Sequence, residues 1–558
     1  MARMWSKRAM VVAACAALAL SACAEQTEPL TVVVSPALPL TVQEVSNPLR
    51  GQYESLLTPL FPQGNPAQHQ FPAWPASYDA SLRVSWRQLQ PTDPSTLPPD
   101  APDDQKFDFS VIDNALATLG SRNMRMSLRV FSYSSCCDTT YANNTNISIP
   151  DWMRPASTSY SDRPRYWWTP GLVQVVPNWN DANYLNAFGQ LLAALGRRYD
   201  GDERLSVFEF SGYGDWSENH ISYLRDTLGA PGPSPEESVA KLGYYSQYRD
   251  QNITSESIRH LVAANVSAFP RTQMITTVLN PEIVRQLFAD DVTKRLSAPV
   301  GIRSDCLGVL SVLHDWSERE DSHYVQAKDP LIAVLKDRLV SAPVITEWCR
   351  LTEGTDRRRY YEKGLHDVIQ YHVSMTSSHN FEDAASKTPM DPDLFQIWAQ
   401  TNVVAGYRYS VEARPGSQSI RDGKATIGVT WTNYGSAVAT EKWVPVYRLV
   451  DFSGAVVRTL APAVALKSLT TRQSDQRVAL EPVPASSTES VSVDLAGLAP
   501  GHYTLNASVD WQQHKRDASH VVNYAPMHLA RDGRDGSGWY PLAAFDIPRD
   551  ALVAAHRS

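Results

Sequence analysis

Leu205-Ser206-Val207-Phe208-Glu209-Phe210 runs directly into Ser211-Gly212-Tyr213-Gly214-Asp215-Trp216-Ser217-Glu218-Asn219-His220. A short apolar run gives way to glycines, acids and aromatics. Pro343-Val344-Ile345-Thr346-Glu347-Trp348 repeats the plan, closing a β-like run on a carboxylate beside a tryptophan. Runs of this length bounded by turn residues read as buried strands. Six more flank them: Gly51 to Leu57, Ser81 to Trp86, Met126 to Phe131, Gln273 to Leu279, Val300 to Arg303 and His372 to Ser377. The two quoted runs are then the fourth and seventh of eight.

Helical spacing fills the intervals, in Val111 to Leu119, Tyr184 to Tyr199, Ser255 to Ala268, Pro281 to Phe288 and Arg358 to Ile369. Thr254 suits an N-cap, and Pro281 suits a first helical turn. Eight β/α alternations over roughly 340 residues predict an α/β fold, a (β/α)8 TIM barrel. Ser132 to Asn180, rich in Ser, Pro, Asn and Trp, is too long for an ordinary connection and is expected to be a functional loop over the barrel mouth. After Gly406 the period changes to two, in Ala425 to Trp431, Trp443 to Leu449, Ser490 to Leu495 and Tyr503 to Val509, with turns at Asp451 to Gly454 and Ala499 to Gly501. That pattern predicts a C-terminal immunoglobulin-like β-sandwich.

The N-terminus reads as an export signal. Arg3, Lys7 and Arg8 precede an apolar stretch from Ala9 to Leu20, which ends in Leu20-Ser21-Ala22-Cys23. Small residues before a cysteine at this place resemble a bacterial lipobox, with cleavage before Cys23 and lipid on its sulfur; an ordinary signal peptide cleaved near Ala24 is the alternative. Glu25 to Pro48 suits an extended spacer. The expected division is 1–22 signal, 23–46 tether, 47–405 barrel, and 406–558 sandwich with its tail. The expected place is the bacterial cell envelope, at the outer membrane in a Gram-negative host. No later run is apolar enough for a membrane span.

A formal net charge of -8 argues against nucleic acid as a partner. Of six cysteines, Cys15 leaves with the signal and Cys23 is lipidated, leaving Cys136, Cys137, Cys306 and Cys349. Cys306 and Cys349 follow neighbouring predicted strands, which makes a bridge between them possible. No His/Cys spacing suggests a metal, and no cofactor is expected.

In a closed barrel the residues past the strand ends converge on one mouth. Two carboxylates converging there suit retaining glycosidic bond cleavage. Glu347 is the candidate nucleophile. Glu218 is the candidate acid, its pKa expected to be raised by apolar neighbours such as Trp216, with Asp215 in reserve. Arg87 and Arg129 are candidates to orient the nucleophile, or else ion pairs of the barrel wall. Arg303 and Asp305 are candidates for sugar hydroxyls, or else for each other. Trp86, Trp216, Trp316 and Trp348 are candidate stacking platforms, with core packing as the alternative for some. His220, His314, His379 and Asn380 are candidate hydrogen-bond partners of hydroxyls.

A family resemblance rests on the order of short phrases: Asn47-Pro48-Leu49-Arg50-Gly51, Val84-Ser85-Trp86-Arg87-Gln88-Leu89-Gln90-Pro91, Phe107-Asp108-Phe109-Ser110-Val111-Ile112-Asp113 and Pro150-Asp151-Trp152. This order resembles the start of clan-A glycoside hydrolase barrels. The whole mature chain is still more similar to bacterial proteins with DUF4832-type and DUF4874-type regions, which carry a Gly-x-Trp-x-Glu phrase after strand four. The chain departs from clan A in lacking Asn-Glu near Ser211-Gly212, and it has Gln90 where an acid usually precedes Pro91. The resemblance implies a hydrolase acting on a poly- or oligosaccharide. The alternative is a non-catalytic carbohydrate-binding or envelope lipoprotein on the same scaffold.

Overall fold

The computed structural model describes residues 47–55, 77–135, 145–153, 161–164, 173–222, 234–246, 251–349, 351, 354–377, 391–414, 417, 419–421, 423–473, 482–512 and 525–547. The signal, the tether, Cys23, Cys136, Cys137, His379 and Asn380 lie outside these residues. Among the described residues no helix is long and apolar enough to cross a membrane.

Eight parallel strands close into a barrel: β1 (Gly51–Ser55), β2 (Ser77–Ser85), β3 (Arg125–Phe131), β4 (Leu205–Glu209), β5 (Gln273–Thr277), β6 (Gly301–Leu307), β7 (Val344–Trp348) and β8 (Met375–Ser377). Each pairs with its sequence neighbours, and β8 returns to β1, the order of a (β/α)8 TIM barrel. Seven helices follow strands: α1 (Ser110–Ser121), α2 (Ala182–Tyr199), α3 (Ser255–Ala268), α4 (Pro281–Leu287), α5 (Pro330–Ser341), α6 (Arg357–Gln370) and α7 (Pro392–Val404). Their starts are specified locally. Asp181 accepts from the backbone N–H groups of Asn183 and Tyr184, Thr254 caps α3, and Asn280 caps α4 ahead of Pro281. Their apolar stripes pack on the outward strand residues in one continuous core.

The stretch from Ser132 to Asn180 was expected to be irregular. Within it the β-branched Val173–Val176 segment pairs with Thr145–Asn146 and Ser161–Pro164 in a small three-stranded sheet.

Beyond α7 come β9 (Tyr409–Ala413), β10 (Ser419–Arg421), β11 (Lys424–Asn433), β12 (Trp443–Asp451), β13 (Val456–Leu460), β14 (Ala485–Asp494), β15 (Gly501–Trp511) and β16 (Tyr540–Ile547). In one antiparallel sheet, β9, β10 and β14 all pair with β11. In the other the order is β13-β12-β15-β16. Inward residues of both sheets, among them Val429, Trp431, Leu449, Val493, Leu505 and Val509, share one core. Two antiparallel sheets with a common core are compatible with a β-sandwich. These sheets meet the N-terminal foot of the barrel. The buried Arg125 of β3 pairs with Asp79 at 3.6 Å and with Glu441 at 2.8 Å, and it lies 4.8 Å over the ring of Trp511.

Between β6 and β7 the register slips. Ser304 opposes Thr346 and Leu307 opposes Trp348, so Asp305 and Cys306 share the place opposite Glu347. This is a β-bulge, and Cys306 at φ 63° takes the left-handed conformation within it. A disulfide joins Cys306 to Cys349 beside the bulge, with the Cα atoms 4.2 Å apart and a sequence separation of 43. In the chain-entropy account a loop of this length is worth about 4 kcal/mol. Cys349→Ser, measured by urea denaturation under oxidising conditions, should therefore lower stability by about 2–4 kcal/mol. A reductant should bring wild type down to the same midpoint.

Candidate active site

Side chains alternate along a strand, so residues two apart share a face. In β4 the inward pair is Val207 and Glu209; in β7 it is Ile345 and Glu347. Tyr53, Val207, Ile275, Ile345 and Met375, with Leu49, form a small apolar cluster inside the barrel. Further along the same inward faces the lumen turns ionic. Arg129 on β3 donates to Glu209 at 2.7 Å and to Glu218 at 2.5 Å. Arg303 on β6 donates to Tyr53 Oη at 3.0 Å, to Asp305 at 3.1 Å and to Glu347, and it lies 3.9 Å from Glu209. Arg83, which faces Arg129 in the β2–β3 register, donates to Glu347 and lies 3.9 Å from Glu218. Arg129 and Arg303 are each only 1% exposed, so their charges rely on these carboxylates rather than on water.

One carboxylate oxygen each of Glu218, Asp305 and Glu347 lies within 4.8 Å of the others. Oxygens so placed would suit a cation, but Arg83, Arg129 and Arg303 already bring positive charge against all three. The arrangement is an ion-pair network.

Glu218 reaches the mouth on a strained loop. Gly212, Gly214, Trp216, Ser217 and Asn219 all have positive φ, between 47° and 117°. For a residue with a side chain this costs on the order of 1–3 kcal/mol and persists where surroundings over-determine it. Here Ser217 Oγ donates to the Val130 carbonyl at 2.8 Å. Asn219 Nδ2 donates to Thr276 Oγ1 at 2.9 Å, and Thr277 Oγ1 donates to the Glu218 carbonyl at 2.7 Å. A Cβ on Gly214 would sit 2.6 Å from the His220 backbone nitrogen, so the close turn requires glycine.

The acid–base character of Glu218 differs from the expectation. Burial opposes its charge, but Arg129, a hydrogen bond with His220 and Arg83 outweigh burial and hold the carboxyl down to about 2. The expected apolar environment is replaced by guanidinium groups, so Glu218 is an anion at neutral pH. His220 Nε2 lies 3.6 Å from Glu218. Its Nδ1 accepts from the Ser222 backbone N–H at 3.2 Å, which places the proton of the neutral ring on Nε2. Asp305 is pushed up to about 6 by burial and by the charge of Glu218, against Arg303. Asp215 is fully buried and is pushed up to about 7, chiefly by burial, with His220 opposing. It accepts from the Ser135 backbone N–H at 2.7 Å and lies outside the three-carboxylate cluster.

Several expected contacts fall elsewhere. Trp86, Trp316 and Trp348 are at most 2% exposed and cannot stack on a ligand. Trp86 packs edge-on against Trp152, Tyr184 and Phe188. Trp316 Nε1 donates to the Val278 carbonyl. Trp348 follows the inward Glu347, so it points outward, where it packs on Tyr360 and Tyr361 over Gly364. Trp216 alone of the four is only half-buried. Arg87 forms a two-pronged pair with Asp151 rather than reaching Glu347. His314 caps the short helix Asp315–Glu318. Arg83, Glu209 and Tyr53 were missed. The signal for two of them was position: Glu209 lies two residues past the inward Val207, and Arg83 stands opposite Arg129 in register.

No family model matches the chain, and no curated protein matches it significantly. Among solved structures, endo-glycoceramidase II from Rhodococcus sp. in complex with a cellobiose-like imidazole is 11% identical, covering 78% of this chain and 96% of that chain at a TM-score of 0.36. The catalytic domain of a β-amylase from Paenibacillus polymyxa is 10% identical, covering 59% and 91% at 0.35. A family 10 endo-β-1,4-xylanase from Gloeophyllum trabeum is 10% identical, covering 67% and 100% at 0.34. These likenesses are distant, and the fold is read from the strand pairing itself.

The Asp215 shift has a sign that can be checked. A carboxyl with a folded-state pKa of about 7 against an ordinary 3.8 stabilises the fold fully below the ordinary value. That stability is lost as pH rises through the folded value. Asp215→Asn removes the titration. Between pH 4 and pH 7 denaturant unfolding should shift in favour of the variant, relative to wild type, by up to about 4 kcal/mol.

Proposed function

We propose that this protein is a glycoside hydrolase of the cell envelope, acting on a poly- or oligosaccharide with retention at the anomeric carbon. The observation that carries the reading is the approach of Glu218, Asp305 and Glu347 to within 4.8 Å at the strand-end mouth of a TIM barrel. Retaining hydrolysis uses two carboxyl groups roughly 5 Å apart, one attacking the sugar and one carrying the proton. Glu347 is the nucleophile in this reading. Arg83 and Arg303 both donate to its Oε2, which fixes the carboxylate and compensates its charge. Trp216, half-buried on the strained loop, is the aromatic placed to meet a sugar ring.

The proposal extends to the rest of the chain. The two C-terminal sheets form an immunoglobulin-like sandwich from residue 406 onward, beside a barrel domain over 47–405. The resemblance to DUF4832-type and DUF4874-type proteins supports reading the chain as an envelope lipoprotein of that kind. The Leu20-Ser21-Ala22-Cys23 phrase supports a lipid anchor on Cys23. Cys23→Ala should move the protein from the membrane fraction to the soluble fraction, read by fractionation of the expressing cells. Unchanged partition would exclude the anchor.

A second reading has its own support. Every mouth carboxylate has an arginine partner, an arrangement that also suits a non-catalytic site holding sugar hydroxyls. A polysaccharide digestion screen with wild type and Glu347→Gln separates the two. Hydrolysis by wild type, with a loss of roughly 10²–10⁴ in rate for the folded variant, supports the enzyme. Saccharide binding with no cleavage by wild type supports the binding protein, and cleavage by Glu347→Gln at wild-type rate removes Glu347 from the role of nucleophile.

A further inference from the structure

The mouth cluster has more acids than bases. Glu209, Glu218, Asp305 and Glu347 face Arg83, Arg129 and Arg303, so one retained proton would balance the charge. The contacts say where it sits. Glu209 lies near Arg129 and Arg303, Glu218 near Arg129 and Arg83, and Glu347 near Arg83 and Arg303. Among the described residues Asp305 pairs with Arg303 alone, through Oδ1. Its Oδ2 is buried and has no hydrogen-bond partner among them. An ionised oxygen there is costly, whereas a carboxylic O–H is the form such a place favours. The β6 bulge turns Asp305 to face Glu347, within 4.8 Å of it.

We propose that Asp305, from the bulge of strand six, is the proton-carrying acid/base of the site, and that Glu218, held between Arg83 and Arg129, orients His220. The assignment deepens the glycosidase reading and rests on it. In the first step Glu347 forms a bond to the anomeric carbon while the glycosidic C–O bond breaks. The leaving oxygen takes the proton of Asp305. In the second step water attacks the same carbon and gives a proton to the Asp305 carboxylate, as the bond to Glu347 breaks. The groups that set the balance around Asp305 are Arg303, Arg129, Glu218 and Glu347, with Arg83, Glu209, Tyr53 and His220 one contact further away.

The test pairs a spectroscopic titration with leaving-group kinetics. Infrared difference spectra of protein carrying 13C-labelled aspartate are recorded from pH 4 to 8 on Asp215→Asn, which removes a second buried aspartyl acid. A carboxylic acid band that titrates near pH 6 and vanishes on adding Asp305→Asn is expected; a band absent at pH 5 overturns the proposal whether or not any glycoside is cleaved. On glycosides with poor leaving groups Asp305→Asn should lose roughly 10²–10⁴ in rate and lose the alkaline limb of the pH profile. With dinitrophenyl glycosides, whose leaving group needs no proton, the loss in bond cleavage should be less than about tenfold. Glu218→Gln should keep the wild-type ratio between the two substrate classes. A leaving-group dependence in Glu218→Gln and none in Asp305→Asn overturns the assignment. Should the band titrate as expected while wild type cleaves no glycoside, the hydrolase reading fails and the proton on Asp305 stands without the catalytic role.

Discussion

The buried guanidinium of Arg129 is the constraint on which the site depends. It enters the lumen from β3 and holds Glu209 of β4 on one side and Glu218 of the following loop on the other. Removing one partner of such a pair leaves a buried charge uncompensated, typically at about 3–5 kcal/mol. Arg129 therefore forces the Glu218 loop to close over it, and that closure sustains the positive φ of Trp216, Ser217 and Asn219. Arg303 does the same from the other side, through Glu209, Glu347, Asp305 and Tyr53. Glu209 lies between the two arginines, so the two halves of the mouth share one buried anion.

The barrel was legible because its outward faces obey the apolar rule. Strand order, strand four and strand seven follow from β-branched and aromatic runs separated by amphipathic helices. What was illegible follows from the lumen. Ser304, Asp305 and Cys306 look like the start of a loop after Arg303, yet β6 continues through them to Leu307, because a lumen filled by ion pairs accepts polar residues that an apolar core would reject. Glu209 was passed over for the same reason, although its parity with Val207 placed it inside. Trp348 was offered to the ligand because it neighbours Glu347 in sequence. On a strand that adjacency means the opposite face, so if Glu347 points in, Trp348 must point to the helices. That parity is legible in the residues themselves. The depressed pKa of Glu218 was not available, since Arg83 and Arg129 come to it from strands far away in sequence.

The same strand also explains how the C-terminal sheets are held. Arg125 and Arg129 are four residues apart on β3 and so share its inward face. Arg129 serves the mouth, and Arg125 serves the foot, where Asp79 of β2 and Glu441 from beyond β11 meet it beneath the Trp511 ring. Glu441 is pushed up from its ordinary value by burial, with the charge of Arg125 opposing. A buried arginine at the foot thus does for the sheets what its counterpart does for the loop: each makes a distant acidic residue part of the barrel's own charge balance. Between them lie Ser127 and the small apolar cluster of Val207, Ile275, Ile345 and Met375, which keep the two ionic layers apart in a medium of low polarity. Charges so separated are screened little by water, and each layer holds one more acid than it has arginines.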